Sequence, residues 1–273
     1  MARDKWTWKA KDGTPGGLLY APGNWGDLLK ALWLTTFITW SREGLPDGIR
    51  HYVDPFAGAP DYPLGAGTKC GFLRGGLESF SYIDREYLRK GLWPSSAALF
   101  RSLSTAPMTV FDVDAERRER WRNFPGATVA DAGDGWDVLQ SGSPAGNDLY
   151  LVDPYDFLAQ WRGKTEALLA KTAPCTLLLY VYNRSAKKAE HFREYRAFRG
   201  FLDGRTGGEY IFGRVGSDPF LPSSHHEMYL FPSPEARGSP VFALLAGSLE
   251  RTTLQLDAVM RKLSVFGNQH RFF

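Results

Sequence analysis

The 273-residue chain has only two cysteines, Cys70 and Cys175. They lie far apart and share no metal-binding or redox spacing. That excludes a disulfide framework and a cysteine-based metal site, and it points to a reducing compartment. Net charge is also scarce: 33 basic and 30 acidic residues leave +3. This is too little to imply a nucleic-acid partner by itself, because such proteins concentrate far more positive charge on one face. Long apolar runs are missing. The longest, Thr176 to Val181, is far too short to span a membrane. The start, Met1-Ala2-Arg3-Asp4-Lys5, carries charges and no apolar stretch, so it does not read as a signal peptide. Together these absences predict a soluble, cytoplasmic protein with no membrane partner.

Aromatic residues are abundant, with nine Trp, twelve Tyr and eighteen Phe. They suit a deep pocket, a core or an interface. A protein partner could therefore meet an aromatic-rich surface, or the basic-aromatic tail Gln269-His270-Arg271-Phe272-Phe273. At this length the chain can bury a full core. We divide it into residues 1–234, one α/β domain with an N-terminal arm, and residues 235–273, a C-terminal helical extension.

Leu149-Tyr150-Leu151-Val152 is an uninterrupted apolar run, as expected of a strand buried on both faces. It stops at Asp153-Pro154, because proline cannot donate to a strand ladder. Thr176 to Val181 reads as a second such strand. His51-Tyr52-Val53-Asp54 and Met108 to Phe111 read as two more, and Thr128 to Ala130 as a short one. Helices alternate with them. One runs from Leu28, with Asn24 as N-cap and Asp27 in the first turn, to a stop at Gly44 and Pro46. Another follows Leu92-Trp93-Pro94 and is capped by Ser95 or Ser96. Further helices cover Glu116 to Arg122, Trp161 to Lys171, Lys187 to Phe201 and Phe242 to Leu263. Glu209 to Phe212 and Glu227 to Phe231 form a strand pair, joined by a loop that holds His225 and His226. Phe80 to Asp84 fits a strand or a helix start. The alternation predicts an α/β, doubly wound, Rossmann-like sheet with helices on both faces and an antiparallel pair near the C-terminus.

Asp54, Asp112 and Asp153 each follow an apolar β-like run, and Asp134 lies in a Gly/Asp turn read as preceding the next strand. An acid at a strand end is ordinary turn chemistry when it stands alone. Three of them on neighbouring parallel strands converge on the crevice where open α/β sheets bind ligands. Asp54 would then orient an amino-acid group, Asp112 would accept from ribose hydroxyls, and Asp134 from an adenine amino group. Gly58, in the small-residue loop Ala57-Gly58-Ala59, lets the backbone approach a ligand closely. His225 and His226 have no third ligand at metal spacing, so no metal site is assigned. Lys187, Lys188 and the arginines from Arg193 to Arg199 read as a solvated helix face.

In this order the motifs resemble those of the bacterial large-subunit ribosomal RNA adenine-N6 methyltransferases of the J type, a family that uses S-adenosylmethionine on a Rossmann-like fold. The resemblance runs from about Ala21 to Pro234. Gly23-Asn24-x-x-Asp27-x-Leu29-Lys30 is similar to the family's Gly-Asn-His-x-Asp-x-Leu-Lys segment. Tyr52-Val53-Asp54-x-x-Ala57-Gly58-Ala59 is similar to its cofactor loop, Trp93-Pro94-Ser95-Ser96 to its Tyr-Pro-Gly-Ser, and Asp134-Gly135-Trp136 to its Asp-Gly-Phe. The resemblance implies cofactor contacts from Lys30, Asp54, Gly58, Asp112 and Asp134. It puts the reacting centre at Asp153, Pro154 and Tyr155. That centre departs from the family's Asp/Asn-Pro-Pro-Tyr: the second proline is absent, and Asp156 occupies the aromatic position. Asn24, His51 and Asp156 are candidates for substrate contact.

Three functions follow as expectations. One is S-adenosylmethionine-dependent methylation of a nitrogen in RNA or in a small-molecule amine. Another is a cofactor-independent intramolecular displacement of specialised metabolism, with amine attack and ring closure, in which Lys30 or an arginine binds the leaving group. The third is a non-catalytic partner with a vestigial site.

Overall fold

The computed structural model describes residues 7–9, 15–18, 23–63, 81–154, 157–183, 189–216 and 225–269. In chain order its strands are β1 (Thr7–Lys9), β2 (Pro15–Leu18), β3 (His51–Asp54), β4 (Asp61–Pro63), β5 (Leu92–Pro94), β6 (Met108–Val110), β7 (Ala127–Val129), β8 (Asp148–Val152), β9 (Thr176–Asn183), β10 (Ile211–Val215) and β11 (His225–Phe231). Its α-helices are α1 (Trp25–Gly44), α2 (Ser81–Glu86), α3 (Ser96–Leu103), α4 (Ala115–Arg122), α5 (Gly135–Ser141), α6 (Trp161–Thr172), α7 (Ala189–Thr206), α8 (Pro234–Gly238) and α9 (Phe242–Gln269).

Seven strands form one sheet in the order β10-β11-β9-β8-β3-β6-β7. β9, β8, β3, β6 and β7 run parallel to one another, while β11 is antiparallel to both β9 and β10. This is the predicted doubly wound sheet with its antiparallel element near the C-terminus. Strand order reverses between β3 and β8, which makes that gap the topological switch point. Two small ribbons, β1 with β2 and β4 with β5, lie outside the sheet.

Alternation along each strand divides the core in two. Tyr52, Leu149, Leu151, Leu178, Met228 and Leu230 face a cluster built with α1, α3 and α9. Val53, Tyr150, Val152, Leu177, Leu179 and Tyr229 face the other, built with α5, α6 and α7. Tyr52 stacks on Phe100 of α3 with ring centroids 4.2 Å apart, a pair worth about 1 kcal/mol beyond its buried area. The C-terminal helix shares the first cluster through Leu245, Leu249 and Leu256. The indole N–H of Trp33 donates to Thr253 Oγ1 at 2.9 Å and ties α1 to α9.

The helix signals work as expected at α1 and α3. Asn24 Oδ1 accepts from the N–H groups of Gly26 and Asp27 at 2.8 and 3.1 Å. Leu45 ends α1 in an extended conformation, φ −117° and ψ 135°, the geometry forced on a residue before proline. Ser95 caps α3 through Ala98 N–H. Other expectations need correction. Asp134 does not precede a strand: it caps α5 in a reciprocal capping box with Asp137. His225 and His226 open β11 instead of lying in a loop, because both pair across to β9. Arg199 is not part of a solvated face. Its guanidinium lies 4.1 Å from the centroid of the Phe212 ring and donates to the Tyr229 hydroxyl. Ser81–Glu86 resolves the Phe80–Asp84 stretch as helical, with Phe80 itself outside the described residues.

Candidate active site at the switch point

Asp54 ends β3, and Asp153 follows β8 by one residue, so the two acids flank the switch point. Asp112 stands two residues beyond β6. Each acid shares its parity with a residue facing α1 and α3: Tyr52 for Asp54, Val110 for Asp112 and Leu151 for Asp153. The sequence therefore puts all three carboxylates on one side of the sheet, over its carboxyl edge.

α1 crosses that edge and brings Lys30. Its Nζ donates to Asp153 Oδ2 and lies 3.2 Å from Asp27 Oδ1. The same ammonium sits 4.8 Å from the Tyr180 ring centroid. Burial works against its charge, but Asp153 and Asp27 outweigh that cost and hold its pKa well above the ordinary value. Burial pushes Asp153 up, and Lys30 pulls part of that rise back. Asp54 is only 2% exposed. It accepts from the Tyr52 hydroxyl at 3.1 Å and from Phe56 N–H at 3.2 Å. Burial, reinforced by Asp153, still lifts its carboxyl to about 7. Asp27 and Asp153 thus share one ammonium, buried Asp54 lies within its field, and Asp54 carries a proton for part of the neutral range.

Tyr180 and His226 lie beside the same ammonium. Their Oη and Nδ1 are hydrogen-bonded at 2.6 Å. Burial, helped by Lys30, depresses His226 to about 3, so the ring is neutral. Only glycine fits beneath them at position 26: a Cβ there would stand 2.1 Å from Tyr180 Oη and 2.7 Å from His226 Nδ1.

The loop after β3 reaches the remaining acids. Gly58 has φ +66°, and a Cβ on it would lie 2.0 Å from the Tyr62 hydroxyl. That hydroxyl accepts from Ala59 N–H at 2.7 Å. Trp121 of α4 donates its indole N–H to the Gly58 carbonyl at 2.7 Å. Asp112 Oδ1 accepts from Asp114 N–H at 2.8 Å, and Oδ2 lies 3.4 Å from Arg117. Asp134 uses Oδ1 for both of its capping bonds, to Trp136 and Asp137 N–H. Its Oδ2 makes no bond among the described residues.

The structure therefore brings Lys30, Asp54 and Asp153 together, with Pro154 buried beside them and Gly58 and Asp112 on adjoining segments. Asn24 is committed to capping α1 through Oδ1. His51 lies at the opposite, amino end of β3, bonded to Thr109 Oγ1 at 2.9 Å, and it takes no part in the cluster. Tyr155 and Asp156 lie outside the described residues. Asp27, Tyr180 and His226 escaped the sequence reading as site residues. The signal for Asp27 was its i,i+3 spacing from Lys30, which puts both on one helix face.

Among the described residues no three His, Cys, Asp or Glu side chains gather to hold a metal ion, and no helix is long and apolar enough to cross a membrane.

No family model matches the chain, and no curated protein matches it in sequence. A solved structure from Legionella pneumophila (protein LPL1258, family model DUF519) superposes with a TM-score of 0.64 at 15% identity, covering 86% of this chain and 94% of that one. This likeness shows a common fold. Two other solved structures align more loosely. The plantazolicin methyltransferase BpumL, in complex with SAH, gives a TM-score of 0.40 at 13% identity over 75% of this chain and 85% of that one. The N-methyltransferase NodS from Bradyrhizobium japonicum gives 0.37 at 12% identity, over 75% and 94%.

Proposed function

We propose that the chain transfers a methyl group from S-adenosylmethionine to a nitrogen. The observation that carries this reading is the imbalance at the switch point, where Asp27, Asp54 and Asp153 face the single Lys30. A buried excess of acid favours a cationic ligand. S-adenosylmethionine brings two positive centres, an ammonium and a sulfonium, against one carboxylate. Asp54 and the backbone at Gly58 would face its amino-acid end, Asp112 the ribose hydroxyls, and Asp134 Oδ2 the adenine amino group. Lys30 would complete the floor beneath them.

When bound, the cofactor would supply an electrophilic methyl group. The chain's own contribution is positioning and proton management. Lys30 holds Asp153 Oδ2, which fixes the carboxylate and favours its ionised form. Oδ1 is then the oxygen that accepts a proton from the substrate amine. Pro154 ends the strand at that point, and Tyr155 would offer its ring to the acceptor, with Asp156 beside it. The displacement alternative asks Lys30 to bind an anionic leaving group. Two acids already neutralise that ammonium, which favours methyl transfer. Residues 1–234 would form the catalytic unit, with 235–273 as its helical extension, in a reducing, cytoplasmic setting.

Isothermal titration of the purified protein with S-adenosylmethionine and with its demethylated product tests the reading. Binding of both, lost in Asp112→Ala, is the expected result. Failure of both to bind overturns it.

A further inference from the structure

β9, β10 and β11 outrun the parallel strands beyond β8. β8 pairs last at Val152 with Leu179, whereas β9 and β11 stay paired as far as Asn183 and His225. Tyr180 to Asn183 and their partners therefore project as a ledge past the switch point. Alternation puts Tyr180, Tyr182 and His226 on the side of the ledge that carries Lys30. The three rings form a ladder. His226 stacks on Tyr182 with centroids 4.9 Å apart and planes 18° from parallel, and on Tyr180 at 6.1 Å and 22°. The inner rung already holds a cation, since Lys30 Nζ lies over the Tyr180 ring. The outer rung, Tyr182, is 36% exposed. Because His226 is neutral, the ladder offers electron-rich faces without a competing positive charge.

We infer that this ledge, together with Asp153, binds a small-molecule aliphatic amine or guanidine in its cationic form, and that the bound nitrogen gives up a proton to Asp153 Oδ1 before attacking as the methyl acceptor. The inference rests on the methyl-transfer reading and names its substrate class. A cation gains from an aromatic face and a carboxylate together, as Lys30 itself shows one rung further in. A nucleic acid is disfavoured on the same evidence. Its phosphates would meet the carboxyls of Asp27, Asp54 and Asp153. Of the arginines of α4, Arg117 pairs with Asp112 and Arg118 with the carbonyls of Asp112 and Val113, while Arg120 and Arg122 are partly occupied by surface pairs with Asp61 and Glu119 at 2.8 Å. Phosphate binding draws its affinity from arginine and lysine side chains open to the backbone.

The test is calorimetry on protein saturated with the demethylated cofactor, so that no turnover occurs. The probes are agmatine and spermidine, compared with adenosine and a single-stranded RNA oligonucleotide. The expected result is that an amine binds, weakens about tenfold or more in Tyr182→Ala, and recovers in Tyr182→Phe, while cofactor affinity is the same in all three proteins. Binding of adenosine or RNA but of neither amine overturns the inference, as does amine binding that Tyr182→Ala leaves unchanged. If the demethylated cofactor does not bind, the methyl-transfer reading fails, and titrating the amines into unliganded protein still decides the ledge.

Discussion

Replacing Asp54 by Asn should change how stability depends on pH, with a sign that follows from burial. The carboxyl has an ordinary value of 3.8 and is raised to about 7 in the fold. Between these values the folded protein holds a proton that the unfolded chain has lost, so Asp54 stabilises the fold below pH 4 and loses that contribution as pH climbs through 7. The whole span is worth about 4 kcal/mol, and about 2–3 kcal/mol of it falls between pH 5 and 8. His226 works in the opposite direction. Its depressed value, about 3, means the unfolded chain binds the extra proton, so its contribution grows as pH rises to about 6.5. The two slopes partly cancel in the native protein, so only a difference curve isolates Asp54. Urea unfolding of wild type and Asp54→Asn at half-unit steps from pH 5 to 8.5 should show the variant gaining on wild type by about 2–3 kcal/mol across the range. The amide keeps its oxygen for the Phe56 N–H, and its NH2, in place of Oδ2, donates to the Tyr52 hydroxyl, so that bond reverses direction and its cost, being independent of pH, drops out of the slope. A difference curve that stays flat would refute the charge assignment at the switch point.

Lys30→Met strips the ammonium from buried Asp27 and half-buried Asp153 and should cost about 3 kcal/mol in urea unfolding; adding Asp153→Asn should return part of that loss. Gly26→Ala adds a Cβ where Tyr180 and His226 already sit. The clash should outweigh the roughly 1 kcal/mol of helix propensity gained, for a net loss of about 1–3 kcal/mol by thermal unfolding. Thr253→Val leaves the buried Trp33 N–H without its acceptor and should lower stability by about 1–3 kcal/mol in urea unfolding, with little change at the switch point.

The sheet was legible because its central strands are buried on both faces. Leu149–Val152 and Leu177–Val181 are unbroken runs without a charge, and the acids at or after the ends of β3, β6 and β8 mark the carboxyl edge. Asn24 and Ser95 were readable as caps because capping is local. What failed was what depends on distant partners. Asp134 looked like turn punctuation because its box partner is Asp137, an aspartate where Glu or Gln gives the usual signal. His225 and His226 follow a Pro/Ser-rich stretch, and only their pairing to β9 makes them strand residues. Lys30 and Asp153 are 123 positions apart, and no spacing rule joins them. The acids themselves could be counted from the sequence, but their protonation could not. Charge state is set by burial and by which cation arrives, and both are properties of the assembled edge. That is why the chemistry turns on Lys30: without α1 across the sheet, Asp54 and Asp153 are two strand-end aspartates, and with it they become a coupled pair with one ammonium between too many carboxyls. A ligand that binds there must supply positive charge or take up a proton's role, and this constraint narrows the function more than any single motif does.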